Sequence, residues 1–410
     1  MRAGINRAYP EVTERREPLM RLLVLNDCGI RGGGTENRIR LLLDELLRSK
    51  TVTSVDILQS ADRPAYPLPR KFSVSSTGGG FRRAYRQAGD IIRRKRIDLV
   101  QAHNMQGMTP CGIEAARRAG IPVVWFAHDY WPLCSRRSFV DASRARFRST
   151  CGAARVAACM RCAGPRTLAR MQLYRFCMRG VDLAVATCDF VRAFYERHGF
   201  LRGRWQVVPP WISTDIFSVV SEDSARERTV VFTGSLLDYK GAWVLAQAAP
   251  VIRERFPDVR FLFIGAEEEK IGPVAAIFAQ AGLSGAVTFK GYTRWEDMVR
   301  IYRRAGVYVC PTVCMETFGL NWAEAMACGM PVVASAIGSL PEFLKGRAVL
   351  FPARDHLRCA EAIIRVLEDR TLAGELSAEG AGYVRSHFQV KKAADTLGAG
   401  YRQLLAGGAG

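Results

Sequence analysis

The chain has 410 residues, 49% hydrophobic and 24% charged, with a formal net charge of +20. Its length suits two domains of ordinary size, its composition is that of a globular protein, and no apolar run approaches the ~20 residues of a membrane span. The basic excess suits an anionic membrane surface or an anionic glycan, and no nucleic-acid module or aromatic-interleaved basic stripe accompanies it, so nucleic acid is not an expected partner. Residues 1–19 are polar and charged, and read as an N-terminal extension rather than a signal peptide. Twelve cysteines without such a signal argue against a disulfide scaffold and for a cytoplasmic chain, with a peripheral position at the inner face of a membrane compatible with the charge.

In chain order, residues 21–26 read as a buried strand, followed by the glycine-rich turn at 29–34 and a helix carrying Ile39, Leu42, Leu43, Leu46 and Leu47 at helical spacing. Glycines between a strand and a helix let backbone amides approach an anion, which places Gly33 and Gly34 at a candidate phosphate cleft. The Gly-x-Gly-x-x-Gly spacing of dinucleotide sites is absent, which disfavours a nicotinamide cofactor. Further strands are expected at 54–58, 97–102, 122–127 and 181–186, separated mostly by helical patterns. Such alternation implies a doubly wound parallel sheet with ligands at the C-terminal strand ends. His103 and His128 stand at two of those ends, and Asp129 follows. Cys134, Cys151, Cys159 and Cys162 lie on an arginine-rich segment. The last pair has the spacing of a zinc knuckle, with free thiols or a redox pair as the alternative.

A second series of strands is expected at 229–233, 259–264, 287–289, 306–310 and 331–334. Between the last two, a helix over 319–328 is predicted, stopped by Gly329 and Pro331. Glu316 precedes this helix and Glu324 lies inside it. The helical rise separates the two by about 12 Å, the reach of a sugar, a diphosphate and a ribose. The amides of Thr317, Phe318, Gly319 and Leu320 form the helix N-terminus, which favours a phosphate between the carboxylates. Two solvated glutamates beside a buried helix would leave the same spacing.

The stretch 314–334, with its Glu-x7-Glu spacing, its Phe-Gly-Leu and its Glu-Ala-Met-Ala-Cys-Gly-Met-Pro tail, together with Gly-Ser-Leu-Pro-Glu at 338–342, resembles the retaining glycosyltransferases of family 4 type. The resemblance implies a GT-B fold, two Rossmann-like domains facing across a cleft, and transfer from a nucleotide-diphosphate-sugar without an active-site metal. It implies that Glu316 meets the donor sugar and Glu324 the ribose, and that His128 lies beside the anomeric region, with His103 and Asp129 on the acceptor side. The segment 232–241 resembles the family's phosphate loop, which implies Gly234, Ser235 and the cation Lys240 at the diphosphate. The family commonly carries arginine where this chain has Ser235. Tyr292 and Thr293 match positions near the base. The implied divisions are a first domain over 20–212, a second over 213–390, and a helix over 391–410 crossing back. The expected acceptor is lipid-linked or a polysaccharide. A nucleotide-sugar epimerase of the same fold, or a non-catalytic sugar-nucleotide-binding protein, is the alternative.

Overall fold

The computed structural model describes residues 20–27, 34–60, 72–77, 81–105, 110–134, 140–141, 146–147, 165–219, 226–236, 238–265 and 271–407. The first unit runs β1 (Met20–Leu25), α1 (Gly34–Arg48), β2 (Val52–Ser60), β3 (Phe72–Thr77), α2 (Phe81–Lys95), β4 (Leu99–Ala102), α3 (Cys111–Arg118) and β5 (Val123–Phe126). A two-stranded antiparallel ribbon follows, β6 (Val140–Asp141) with β7 (Arg146–Phe147). Then come α4 (Pro165–Met178), β8 (Leu183–Ala186), α5 (Asp189–Arg197) and β9 (Trp205–Val207). Seven of these strands form one parallel sheet in the order β3-β2-β1-β4-β5-β8-β9.

The second unit contains β10 (Glu227–Thr233), α6 (Ala242–Arg255), β11 (Arg260–Ile264), α7 (Ile271–Gln280), β12 (Val287–Lys290), α8 (Trp295–Arg304), β13 (Ala305–Cys310), α9 (Leu320–Ala327), β14 (Val332–Ser335), α10 (Leu340–Leu344), β15 (Val349–Phe351), α11 (His356–Glu368) and α12 (Arg370–His387). Its six strands are also parallel, in the order β12-β11-β10-β13-β14-β15. The central strands are mostly apolar, as strands covered on both faces are: β4, β5 and β14 are buried at every residue, Gln101 and Ser335 being the polar exceptions in them. The serine-rich β3 and the three-residue β9 are the first sheet's edges, and neither has the hydrophobic signal that marks the central strands.

In both sheets the strand order reverses beside the first strand, between β1 and β4 and between β10 and β13. Ligand crevices open at such reversals, outside the carboxyl ends of the strands. The final helix, α13 (Val390–Gly407), returns to the first unit, where Ala393, Ala394, Leu397 and Tyr401 join the core built by Leu42, Leu46 and Val124. The connecting chain is pinned beside it: Ile212 N–H donates to the Phe388 carbonyl at 3.0 Å, and the Trp211 indole donates to the Arg38 carbonyl at 2.8 Å.

The units meet along one seam. Thr187 Oγ1 donates to the Thr317 carbonyl at 2.5 Å, and Thr317 Oγ1 donates to the His128 carbonyl at 2.6 Å. The Glu342 carboxylate accepts from the amides of Asp189 at 2.9 Å and Phe190 at 2.7 Å, capping the N-terminus of α5 from the opposite domain.

Candidate active site

On the second-domain side, the loop after β13 and the start of α9 are fixed from below. Phe318 packs edge-on to Trp322, Phe343 and Phe388, and the Trp322 indole donates to the Phe318 carbonyl at 2.7 Å. Gly319 takes φ 89° at the helix cap, a conformation costly for a side-chain-bearing residue. Asn321 Nδ2 donates to the Thr233 carbonyl at 2.8 Å, tying α9 to the end of β10. Gly338 closes the loop's other flank at φ 64°. A Cβ there would lie 2.6 Å from Glu316 N, so only glycine lets the following turn pack against Glu316.

Glu316 is 9% exposed. Its Oε1 accepts from Lys240 Nζ at 2.5 Å and from Thr312 Oγ1 at 3.3 Å. Lys240 ends a single 3₁₀ turn, Asp238–Lys240, and Gly241 beside it approaches β13 so closely that a Cβ would overlap the Pro311 carbonyl. Burial alone would depress the Lys240 ammonium, but the Glu316 carboxylate outweighs it and raises the group above its ordinary value, so lysine stays charged throughout the usable pH range. Gly234, Lys240, Thr312, Glu316, Gly319 and Asn321 line one cavity at the β10–β13 crevice. Next to Gly234, the Ser235 hydroxyl is buried without a hydrogen-bond partner among the described residues.

Glu324 contrasts with Glu316. Among the described residues its carboxylate makes no hydrogen bond or ion pair, and burial pushes its pKa up to about 8.

On the first-domain side, Gln101, His103 and His128 form a chain: Gln101 Nε2 to His103 Nε2 at 2.9 Å, and His103 Nδ1 to His128 Nε2 at 2.7 Å. With the amide nitrogen donating, His103 carries its proton on Nδ1 and His128 accepts at Nε2, leaving the His128 proton on Nδ1. Burial drives the His103 pKa down to about 3 and that of His128 well below its ordinary value, each assisted by the positive charge of Arg38. Both rings are therefore neutral at physiological pH.

The predicted residues separate into three groups. Gly234, Lys240, Glu316, Gly319 and Leu320 gather at the second-domain side of the cleft, and Gly34 approaches Leu320 from the other side, while Thr317 sits on the domain seam, Phe318 is buried in the aromatic cluster and Ser235 follows Gly234. His103 is fully buried and reaches the cleft only through His128. Asp129 accepts from the Trp131 amide at 2.9 Å, shaping its own turn. Tyr292 is 81% exposed, and Thr293 Oγ1 bonds the Gly291 carbonyl at 3.2 Å. Gly33 and three of the four clustered cysteines, Cys151, Cys159 and Cys162, lie outside the described residues, and Cys134 is half-buried. No group of three metal-binding side chains occurs among the described residues. Sequence reasoning missed Thr187, Thr312 and Arg38. The first two directly follow a strand and its first loop residue, a positional signal shared with His103 and His128. Arg38 is hidden in an amphipathic helix.

Comparison with known proteins agrees with this geometry. Residues 227–369 match the family described as Glycosyl transferases group 1, and residues 32–216 match Glycosyltransferase Family 4. A D-inositol 3-phosphate glycosyltransferase of Mycolicibacterium smegmatis is 31% identical over 229 residues, 51% of this chain and 49% of that protein. A phosphatidyl-myo-inositol mannosyltransferase of Mycobacterium leprae is 32% identical over 203 residues, 46% of this chain and 53% of that protein. The matches thus span about half the length of these curated relatives. Among solved structures, sucrose-phosphate synthase from Thermosynechococcus elongatus superposes with a TM-score of 0.74 at 20% identity, covering 95% of this chain and 100% of that one. Anabaena HepE, solved with UDP and glucose, gives 0.71 at 17% identity, covering 94% and 100%. Two parallel α/β sheets facing across a cleft are the GT-B fold, and with both halves of the chain matched, the protein belongs to the group 1, family 4 glycosyltransferases.

Proposed function

We propose that the chain is a retaining glycosyltransferase that takes a sugar from a nucleotide-diphosphate donor and passes it to a lipid-linked or polysaccharide acceptor without a metal in the active site. The observation that carries this reading is the convergence of the Lys240 ammonium, the buried Glu316 and the N-terminus of α9 on one cavity. Helix amides and a lysine are together suited to a diphosphate leaving group, whose charge grows as the sugar–phosphate bond breaks. The unpartnered Ser235 hydroxyl, one residue beyond Gly234 of that cavity, is a further candidate donor. Glu324, short of partners, is suited to a pair of ribose hydroxyls, and Glu316 to a hydroxyl of the sugar. The neutral His128 lines the first-domain side and, with Nε2 taken up by His103, can donate one hydrogen bond from Nδ1 without adding charge. Acceptors of the lipid or inositol-phosphate class are favoured by the names of the curated relatives, and by the chain's net charge of +20, which also suits a cytoplasmic enzyme at an anionic membrane face.

Incubating the protein with a panel of nucleotide sugars in the presence of a chelator, with and without candidate acceptors, tests the reading. Release of nucleoside diphosphate, and a product that keeps the donor's anomeric configuration, is the expected result. Acceptor-independent conversion of the donor to another nucleotide sugar would replace transfer with epimerisation.

A further inference from the structure

Arg38 has a feature the reading above does not use. It lies four residues before Leu42 on the inward face of α1, where an apolar side chain would complete the stripe of Ile39, Leu42, Leu43 and Leu46. It is only 6% exposed, yet among the described residues its guanidinium makes no hydrogen bond and no ion pair, and Nε is buried without a partner. A buried arginine is ordinarily held by a carboxylate, because five N–H donors and a full charge are costly to leave unmet. Arg38 has only aromatic rings, with its Cζ 4.7 Å from the Trp211 ring and 5.8 Å from that of Phe318. Its backbone is fixed, since its carbonyl accepts from Trp211.

The guanidinium lines a small cavity with His128, Thr187 and Trp211. The rim of that cavity is where the domains join, through Thr187 to the Thr317 carbonyl and Thr317 to the His128 carbonyl. The cavity is distinct from the one that holds Lys240 and Glu316.

We propose that Arg38 is an anion-binding residue on the first-domain side of the cleft, taking a phosphate oxygen of a ligand between its guanidinium and the His128–Thr187 rim. Planar paired donors match a phosphate's oxygens, and the low-dielectric, aromatic-walled setting strengthens that contact. The phosphate is either one carried by the acceptor or one of the donor's own, and the assignment rests on the transferase reading only for that choice.

Binding of inorganic phosphate to the full-length protein, with and without saturating UDP, tests the assignment whether or not any sugar is transferred. Wild type should bind phosphate, Arg38→Met should weaken it by about tenfold or more, the order of one charge-assisted contact, and Arg38→Lys should fall between. If phosphate still binds in the presence of UDP and still depends on Arg38, the site serves an acceptor's phosphate. If UDP displaces it, and Arg38→Met weakens UDP by the same factor, the site serves the donor. The ligand-free melting temperature separates binding from architecture: replacing an unpaired buried charge by an apolar chain should leave it unchanged or raise it. Equal phosphate affinity in wild type and Arg38→Met, no phosphate binding to wild type, or a melting temperature several degrees lower in both variants would overturn the proposal.

Discussion

The two walls of the cleft handle charge in opposite ways. On the second-domain wall Lys240 and Glu316 neutralise each other at 2.5 Å, within a loop tied down by Thr312, Asn321 and the Phe318–Trp322–Phe343 cluster. On the first-domain wall the histidines are held neutral by burial, and Arg38 stands unpaired. The second domain thus pairs its ions, and under the proposed function a donor phosphate would take the place of Glu316 at Lys240. Among the described residues, the first-domain wall offers neutral hydrogen-bonding rings and the unpaired guanidinium of Arg38. The same contrast separates the two glutamates, since Glu316 has a cation and Glu324 has no partner and a pKa near 8.

The largest effect is expected at the paired cation. Lys240→Ala should lower kcat by roughly 10²-fold, the cost of losing one preorganised electrostatic donor at a developing charge. A change confined to KM would make Lys240 a ground-state clamp and blur the contrast. Next comes the unpaired carboxylate. Glu324→Ala should weaken nucleoside diphosphate binding at pH 9, where the carboxyl is ionised, by about 1.5–3 kcal/mol, the range for hydrogen bonds to a charged group, and unchanged calorimetric affinity would reject the ribose role.

A smaller effect is expected at the seam. Glu342 caps α5 across the domain boundary at an exposed site, where such a contact contributes about 0.3–1 kcal/mol. Glu342→Ala should shift the ligand-free protein toward open forms, seen as a larger radius of gyration in solution scattering and reversed by a nucleoside diphosphate. An identical radius in both proteins would show that the cap does not hold the domains together.

Glu324 also carries a pH signature. Because its folded pKa of about 8 lies above the value of an unfolded glutamate, the protonated folded form contributes stability that is full below roughly pH 4.3 and is lost as pH rises through 8. Glu324→Gln should therefore melt close to wild type at pH 5 and above it at pH 9. A difference independent of pH would mean that the carboxyl ionises normally.

Much of this was legible in the sequence because the apolar strands and the Glu-x7-Glu stretch follow simple periodicities. The helix expected over 319–328 runs Leu320–Ala327, with Gly319 at its cap and Gly329 at φ 73° beyond its end. The serine-rich β3 and three-residue β9 were not legible, since edge strands carry too few apolar residues to signal. At the site, residue types and strand ends pointed to His128, Lys240 and Glu316, but not to their pairings. The Lys240–Glu316 contact spans 76 positions and the His103–His128 contact 25, distances set by strand order rather than local pattern. Arg38 was illegible for a different reason, because a basic residue on an amphipathic helix reads as solvated until its surroundings are known.

Calorimetric titration of wild type and Glu316→Gln with UDP and GDP, in chelator, tests the donor site most directly. The account predicts that at least one nucleotide binds wild type, and that Glu316→Gln binds it as tightly or more tightly, since removing the carboxylate frees Lys240 for phosphate. Weaker binding by Glu316→Gln, or no binding of either nucleotide to wild type, would contradict it.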